Sequence, residues 1–240
     1  MFDERARDVE LLDRPDADRG LVERSYGFMK FANSAGGGTR VVRNFLAREL
    51  ARSNVRSARI LDLGSGSAEI PLTLARWGAK HGYRLEFTCL DHHAEALALA
   101  QEAAEREGRE AIVTERADIL DYEPIHEFDY AIGSMFFHHL SAEGIGRVIG
   151  RLHGFVRKAL LINDLRRCAL NYLVCRLLTI GIEPEIRHDA LLSIARGFRP
   201  LELSMILLAH DPAPRVERHW FCRVAGIVRF DRQEGSCRRF

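Results

Sequence analysis

The residues of this chain best suited to chemistry fall into short clusters. The first is Asp62-Leu63-Gly64-Ser65-Gly66-Ser67-Ala68-Glu69. Two glycines two positions apart, after an apolar run and before a helical pattern, let the backbone turn tightly and let a ligand approach a helix N-terminus. A dinucleotide loop G-x-G-x-x-G starting at Gly64 requires glycine or alanine at position 69. Glu69 stands there, and its carboxylate would face the pyrophosphate, so NAD and FAD are disfavoured. Further clusters are Asp91-His92, Asp118-Ile119 and Ser134-Met135-Phe136-Phe137-His138-His139. A histidine of ordinary pKa, about 6.5, suits removal of a proton from a phenol or an activated carbon acid. The same pair can instead orient its loop or start the next helix. His139 is preferred as the base, because His138 is expected to pack with Phe136 and Phe137. Asn163-Asp164 raises the question of a divalent cation, but one carboxylate and one amide are too few for a magnesium cage, and no metal is expected.

Alternating strands and helices must position these clusters. Apolar runs at 60–63, 83–90, 111–117, 128–134 and 159–165 read as strands. Between them lie helical patterns at 70–82, at 95–108, where Gly108 ends the helix, and at 141–158, which Ser141 starts and Glu143 supports in its first turn. Parallel strands need helical crossovers, so this alternation implies a doubly wound parallel sheet. Ahead of it, two amphipathic segments at 21–33 and 40–51 flank Ser34-Ala35-Gly36-Gly37-Gly38 and read as helix, glycine hinge, helix. Residues 1–20, mixed in charge and carrying Pro15, read as a loosely packed lead-in. After Leu165 come a long apolar helical stretch at 166–182, a helix at 198–210 with Pro200 in its first turn, and two strand-like runs on either side of Trp220 that form a hairpin at the sheet edge. The organisation expected is a lead-in and helical cap over 1–51, then the main domain over 52–240 with a helical insertion at 165–190.

Composition sets the limits. The 240 residues carry 35 Lys+Arg against 34 Asp+Glu, a formal charge of +1, so there is no basic excess to grip a phosphate backbone. With 47% hydrophobic and 29% charged residues the chain is of ordinary globular type. Five scattered cysteines without C-x-x-C spacing read as reduced thiols, and the charged N-terminus lacks the apolar stretch of a signal peptide. A cytoplasmic protein with neither nucleic acid nor membrane as partner is expected.

The pattern D-x-G-x-G-x-[GA], met by Asp62, Gly64, Gly66 and Ala68, is followed in order by Asp91, by Asp118 and by a strand running into SMFFHHL. This set resembles motif I and its companions in the class I S-adenosylmethionine-dependent methyltransferases of small-molecule type. It covers about residues 40–167, and the 198–229 tail looks like the last helix and strand pair of that fold. Ala68 departs from the commoner glycine. The resemblance implies an α/β, Rossmann-like doubly wound, mainly parallel seven-stranded sheet with an antiparallel last strand and an N-terminal helical cap. It also implies S-adenosylmethionine as cofactor and S-adenosylhomocysteine as product.

By the same resemblance, Asp91 accepts hydrogen bonds from the ribose hydroxyls, a role compatible with capping the next helix. His92 lies over the adenine face, while Asp118 and the Ile119 N–H meet the adenine edge. Asp62, with the backbone of Gly64 and Ser134, sits near the methionine amino group. Ser65, Gly66 and Met135 complete the site, and Arg40 meets the cofactor carboxylate. Amino-directed relatives often carry [ND]-P-P-[YF] where this chain has Ser134-Met135-Phe136-Phe137. Hydroxyl or carbon methylation of a small aromatic, quinone or polyketide-like acceptor is therefore expected, with the alternative of a cofactor-binding protein without turnover. Phe28, Met29, Phe31, Tyr172 and Leu173 form either an apolar lid or ordinary packing. Asp164, Arg166 and Arg167 either line the acceptor pocket or form a salt-bridged surface. A homodimer is the candidate assembly.

Overall fold

The computed structural model describes residues 2–13, 19–219 and 223–230. Arg14–Asp18, with Pro15, and the 220–222 and 231–240 stretches, with Trp220, Cys222 and Cys237, lie outside the described residues. The strands are β1 (Ser57–Leu63), β2 (Arg84–Asp91), β3 (Ile112–Arg116), β4 (Phe128–Ser134), β5 (Val156–Leu165), β6 (Arg215–His219) and β7 (Arg223–Arg229). The helices are α1 (Arg19–Ala35), α2 (Gly38–Ser53), α3 (Glu69–Lys80), α4 (Ala94–Arg106), α5 (Ala142–Leu152), α6 (Ala169–Leu178), α7 (Pro184–Arg196) and α8 (Pro200–Leu207).

The seven strands form one sheet in the order β3-β2-β1-β4-β5-β7-β6. The first five are mutually parallel, β7 runs antiparallel to β5, and β6 antiparallel to β7. Successive side chains of a strand point to opposite faces, and the core follows that alternation. Ile60, Phe87, Tyr130 and Leu161 pack in one layer with Val42, Leu46 and Leu50 of α2 and Leu74 of α3. Leu61, Ala131, Leu160 and Ile162 pack in the other with Ile145 and Ile149 of α5 and Leu203 of α8. Register then brings the chemistry together: Leu63 pairs with Leu90 and Gly133, Asp91 with Arg116, and Ser134 with Asn163. Parallel strands aligned this way deliver the glycine loop, Asp91, Ser134 and the histidine pair to one edge, where open α/β sheets bind ligands.

Three expectations change. The helix expected over 141–158 stops at Leu152, because residues 153–155 turn and Val156 already begins β5, paired with Phe128. The insertion expected over 165–190 is two helices reaching Arg196: Gly181 takes a positive φ of 82°, and Pro184 starts α7 where its missing N–H costs nothing. The segment 2–13 is held rather than loose. Arg5 Nε donates to the Arg196 carbonyl at 2.8 Å and its Nη2 to the His138 carbonyl at 2.8 Å. The Leu11 and Leu12 N–H groups donate to the Asp189 carboxylate, and Glu10 is buried. A charged composition gave no hint of these distant partners. Cys89, Cys168 and Cys175 are free thiols, and no helix among the described residues is long and apolar enough to cross a membrane.

Candidate cofactor and acceptor site

The loop after β1 is built by backbone conformations that side chains resist. Gly64 and Gly66 have φ of 61° and 53°, in the left-handed region. A Cβ on Gly64 would lie 2.5 Å from Cδ2 of Phe136, and one on Gly66 would lie 2.7 Å from Cε1 of Tyr26. The loop is thus clasped between the start of the β4 loop and helix α1. Ala68 also sits left-handed, at φ 53°, so the alanine that replaces the commoner glycine bears that strain. The Ser65 N–H donates to the Leu90 carbonyl at 3.1 Å, and Ser65 Oγ to Asp62 Oδ2 at 2.8 Å. Burial raises the Asp62 carboxyl to about 7 against the Ser65 hydrogen bond, with the negative charge of Asp91 adding to the rise. Asp91 Oδ2 accepts the Gly66 N–H at 2.8 Å and Oδ1 accepts the His93 N–H at 2.9 Å, so it ties the loop to the start of α4. A carboxylate has about four acceptor sites, which leaves Asp91 capacity for a ligand.

A cavity of about 490 Å³ opens on this loop, a size typical of a small-molecule site. Gly64, Gly66, Asp91, His92, Asp118, Ile119, Met135 and His139 all border it. Asp118 Oδ1 accepts the Leu120 N–H at 2.8 Å, so its turn-forming role is real, and it stays exposed at the cavity. His92 is exposed, with its ring centroid 4.0 Å from that of His93. A smaller recess beside it takes in Asp62, Ser65, Ser134 and Met135 together with Lys30 and Glu69. Lys30 Nζ pairs with Glu69 at 3.0 Å, so a carboxylate and its counter-ion occupy the start of α3 where a dinucleotide loop would receive phosphate. Ser134 Oγ accepts from Asn163 Nδ2 at 2.8 Å. Arg40, expected at the cofactor carboxylate, borders neither space. It is exposed on α2, and its charge is felt at His219 of β6, because the helix turns that face toward the sheet edge.

The histidines separate. His138 is buried, its Nδ1 2.7 Å from Asp164 Oδ1 and its Nε2 3.4 Å from Glu10 Oε1. Burial opposes its charge, but the Asp164 carboxylate, with Glu10 beyond it, outweighs burial and raises His138 to about 9. His138 thereby ties its loop to Asp164 at the end of β5, while His139 borders the cavity. Glu10, His138 and His139 offer donor atoms within 4.8 Å of one another. An imidazolium held between two carboxylates already supplies a positive charge there, and a cation would have to displace its proton.

Asp164 and Arg167 are buried structural groups rather than pocket lining. Arg167 bonds the Gly197 carbonyl and pairs with Glu202 at 2.9 Å, and Arg166 Nη2 lies 3.6 Å from Cys168 Sγ.

A second cavity, about 210 Å³, meets the first at Glu10, Leu12, Met29 and Met135. Phe28 and Met29 border it as expected of a lid, and the Phe31 side chain lies outside the described residues. Tyr172 and Leu173 do not border it: Tyr172 packs on Phe2 with ring centroids at 5.5 Å, and Leu173 is exposed. Asn171, Val174, Cys175 and Leu178 face it instead, at the three- and four-residue spacing of one helix face. Sequence reading missed Tyr26 and Glu10. Tyr26 lay within an amphipathic helix and carried no distinguishing signal, and Glu10 lay in a segment that looked unstructured.

Residues 60–159 match the family model described as "Methyltransferase domain". The order of the seven strands, with its antiparallel last strand, is that of the Rossmann-like fold of the class I S-adenosylmethionine-dependent methyltransferases. Among solved structures, the plantazolicin methyltransferase BamL, in complex with a triazolic desmethylPZN analog and SAH, is similar with a TM-score of 0.70 at 13% identity, over 92% of this chain and 93% of that one. Magnesium protoporphyrin IX methyltransferase (ChlM) from Synechocystis PCC 6803, with bound SAH, gives 0.54 at 14% identity, over 80% and 84%. The S-adenosylmethionine-dependent methyltransferase SibL in its apo form gives 0.64 at 18%, over 96% of this chain and 64% of that one. At such identities the likeness is one of fold. No curated protein matches the sequence significantly.

Proposed function

We propose that this domain uses S-adenosylmethionine to methylate an oxygen or carbon of a small, largely apolar acceptor of aromatic, quinone or polyketide type. The observation that carries the reading is the junction of the two cavities at Met29 and Met135: one is rimmed by the glycine loop and the strand-end aspartates, the other is mainly apolar.

The residues present fit the cofactor. The glycine cradle would be filled by any Cβ, the larger cavity is of nucleoside size, and the carboxylates around it suit a ligand without phosphate. Bound there, the cofactor supplies an electrophilic methyl carbon on a positive sulfur, and that sulfur takes up the bonding electron pair. Asp91 would hold the ribose hydroxyls, and Asp118 and the Ile119 N–H the adenine edge. Asp62 would hold the amino group of the methionine end, with Ser134 and Met135 beside it. The apolar cavity orients the acceptor and excludes water, which is most of what an in-line displacement requires. His139, at the border of the larger cavity, takes the acceptor proton when one must leave. His138, fixed by Asp164, holds His139 and its loop in place.

One structural neighbour is described in complex with a triazolic desmethylPZN analog and another is named for magnesium protoporphyrin IX, so a shared fold leaves the choice of acceptor to the cavity lining. Calorimetric titration with S-adenosylhomocysteine tests the first step, and no binding at high micromolar concentration, with NAD binding instead, refutes it. A methyl-release assay over phenols, quinones and short polyketides then tests transfer. Cofactor binding with no methyl loss over the whole panel would point to a binding protein without turnover.

A further inference from the structure

The smaller cavity is mainly apolar, walled by Phe28, Leu165, Val174, Leu178, Ile186 and Ile194, yet one fully buried cation lies in its lining. Arg223, the first residue of β7, is 2% exposed. Its Nη2 donates to Asn33 Oδ1 at 2.8 Å and to Met135 Sδ at 3.2 Å, both neutral acceptors. Its Nη1 is buried without a hydrogen-bond partner among the described residues. No carboxylate among the described residues forms an ion pair with it; Asp164 acts on it only through space and is itself committed to His138. The other buried arginines have more acceptors. Arg167 pairs with Glu202, and Arg196 is spent on the carbonyls of Asp8, His138 and His139. A buried guanidinium without a counter-ion is costly, and a polar group left unsatisfied in the interior calls for a functional reason or a bound ion. The carboxylates that reach the same cavity are already engaged: Glu10 accepts from Ser193 Oγ at 2.9 Å, and Asp189 accepts the Leu11 and Leu12 N–H groups.

We propose that Arg223 is the receptor for a carboxylate on the apolar molecule that occupies this cavity. The acceptor is then an amphiphilic acid: its hydrocarbon or aromatic body lies against α6 and α7, and its carboxylate meets the Nη1 end of the guanidinium, whose N–H groups are not already donated, in a charge-assisted hydrogen bond. Asn33 and Met135 hold the other edge of the fork and fix its orientation. Arg223 is thereby a specificity-determining residue, placed on a sheet strand rather than on a mobile loop. Because Met135 touches both Arg223 and the larger cavity, an acid seated here lies next to the methyl-transfer position.

The inference rests on the reading of this cavity as the acceptor site, and the test separates the two. Protein saturated with S-adenosylhomocysteine is titrated calorimetrically at pH 7 with 1-naphthoate and with its neutral counterpart 1-naphthamide. The wild type is expected to bind the acid about tenfold or more tightly than the amide, as a charge-assisted hydrogen bond allows. Arg223→Met is expected to abolish that preference by losing acid affinity, with amide and S-adenosylhomocysteine affinity unchanged. Arg223→Lys, which keeps the charge without the fork, is expected to retain part of the preference, and it serves if the methionine variant does not fold. Equal binding of acid and amide by the wild type, no measurable naphthoate binding at millimolar concentration, or a preference that survives in Arg223→Met would overturn the proposal. So would a loss of S-adenosylhomocysteine affinity in Arg223→Met with the acid preference intact, which would assign Arg223 to the cofactor carboxylate. Failure of the wild type to bind S-adenosylhomocysteine, with the naphthoate preference present and dependent on Arg223, would sink the methyl-transfer reading and leave the anion site standing.

Discussion

Replacing Gly64 with alanine separates two costs that the structure sets at one atom. The first is conformational: φ at this position is 61°, and a left-handed alanine costs about 1–2 kcal/mol. The second is steric: the new Cβ would lie 2.5 Å from Cδ2 and 3.1 Å from Cγ of Phe136, so the ring must move. Phe136 borders the larger cavity, and any shift there changes the space offered to a nucleoside. Gly82 provides the control, since its φ is 72° but nothing lies within 4 Å of a Cβ added there. Gly82→Ala is therefore expected to lower the melting temperature by about 2–4 °C per kcal/mol of strain and to leave S-adenosylhomocysteine affinity unchanged. Gly64→Ala is expected to lower the melting temperature at least as far and to weaken that affinity by about tenfold or more, which corresponds to about 1.4 kcal/mol. Thermal melts and calorimetry on the two variants decide the matter. If Gly64→Ala binds the ligand as tightly as Gly82→Ala does, the glycine loop does not border the ligand, and the placement of the cofactor fails.

Asp62, raised to about 7 by burial, must lose its proton to hold an ammonium group. S-adenosylhomocysteine affinity should therefore fall as pH drops below about 7, with proton release on binding visible in buffers of different ionisation enthalpy; affinity constant from pH 6 to 8 would remove Asp62 from the contact. His138 is raised from 6.5 to about 9 in the folded protein, so the stability it contributes is fully present below pH 6.5 and is lost as pH rises through 9. Thermal melts should show this decline, and His138→Gln should flatten it; an equally steep decline in the variant would mean that another group titrates. His139→Ala should leave S-adenosylhomocysteine affinity within a few-fold and slow transfer to an acceptor with a proton to lose by about 10²–10⁴-fold, the range of general base catalysis. Raising the pH to ionise a phenolic acceptor should restore most of that rate, and a loss indifferent to acceptor ionisation would argue against a base role.

The amino-acid sequence alone carried the frame. Periodicity and glycine placement in 60–69, 83–90 and 128–134 determined a parallel doubly wound sheet, because strand, turn and helix are local consequences of residue spacing. Glu69 at the sixth loop position turned the reading away from dinucleotides, and the structure shows that carboxylate already paired with Lys30. What lies far apart in sequence was decided by tertiary structure. His138 and Asp164 meet across 26 residues and Glu10 and Ser193 across 183, and such pairings leave no periodic trace. Tertiary packing alone divided the adjacent histidines into a buried one and one at the cavity. It also put Val174 and Leu178, exposed as they are, at the rim of the smaller cavity, and left Arg223 in the lining of that cavity with no carboxylate among the described residues in an ion pair with it. The physical reason is that spacing fixes which side of its own element a residue occupies, whereas its partners, its burial and its charge state depend on which other element comes to cover that side.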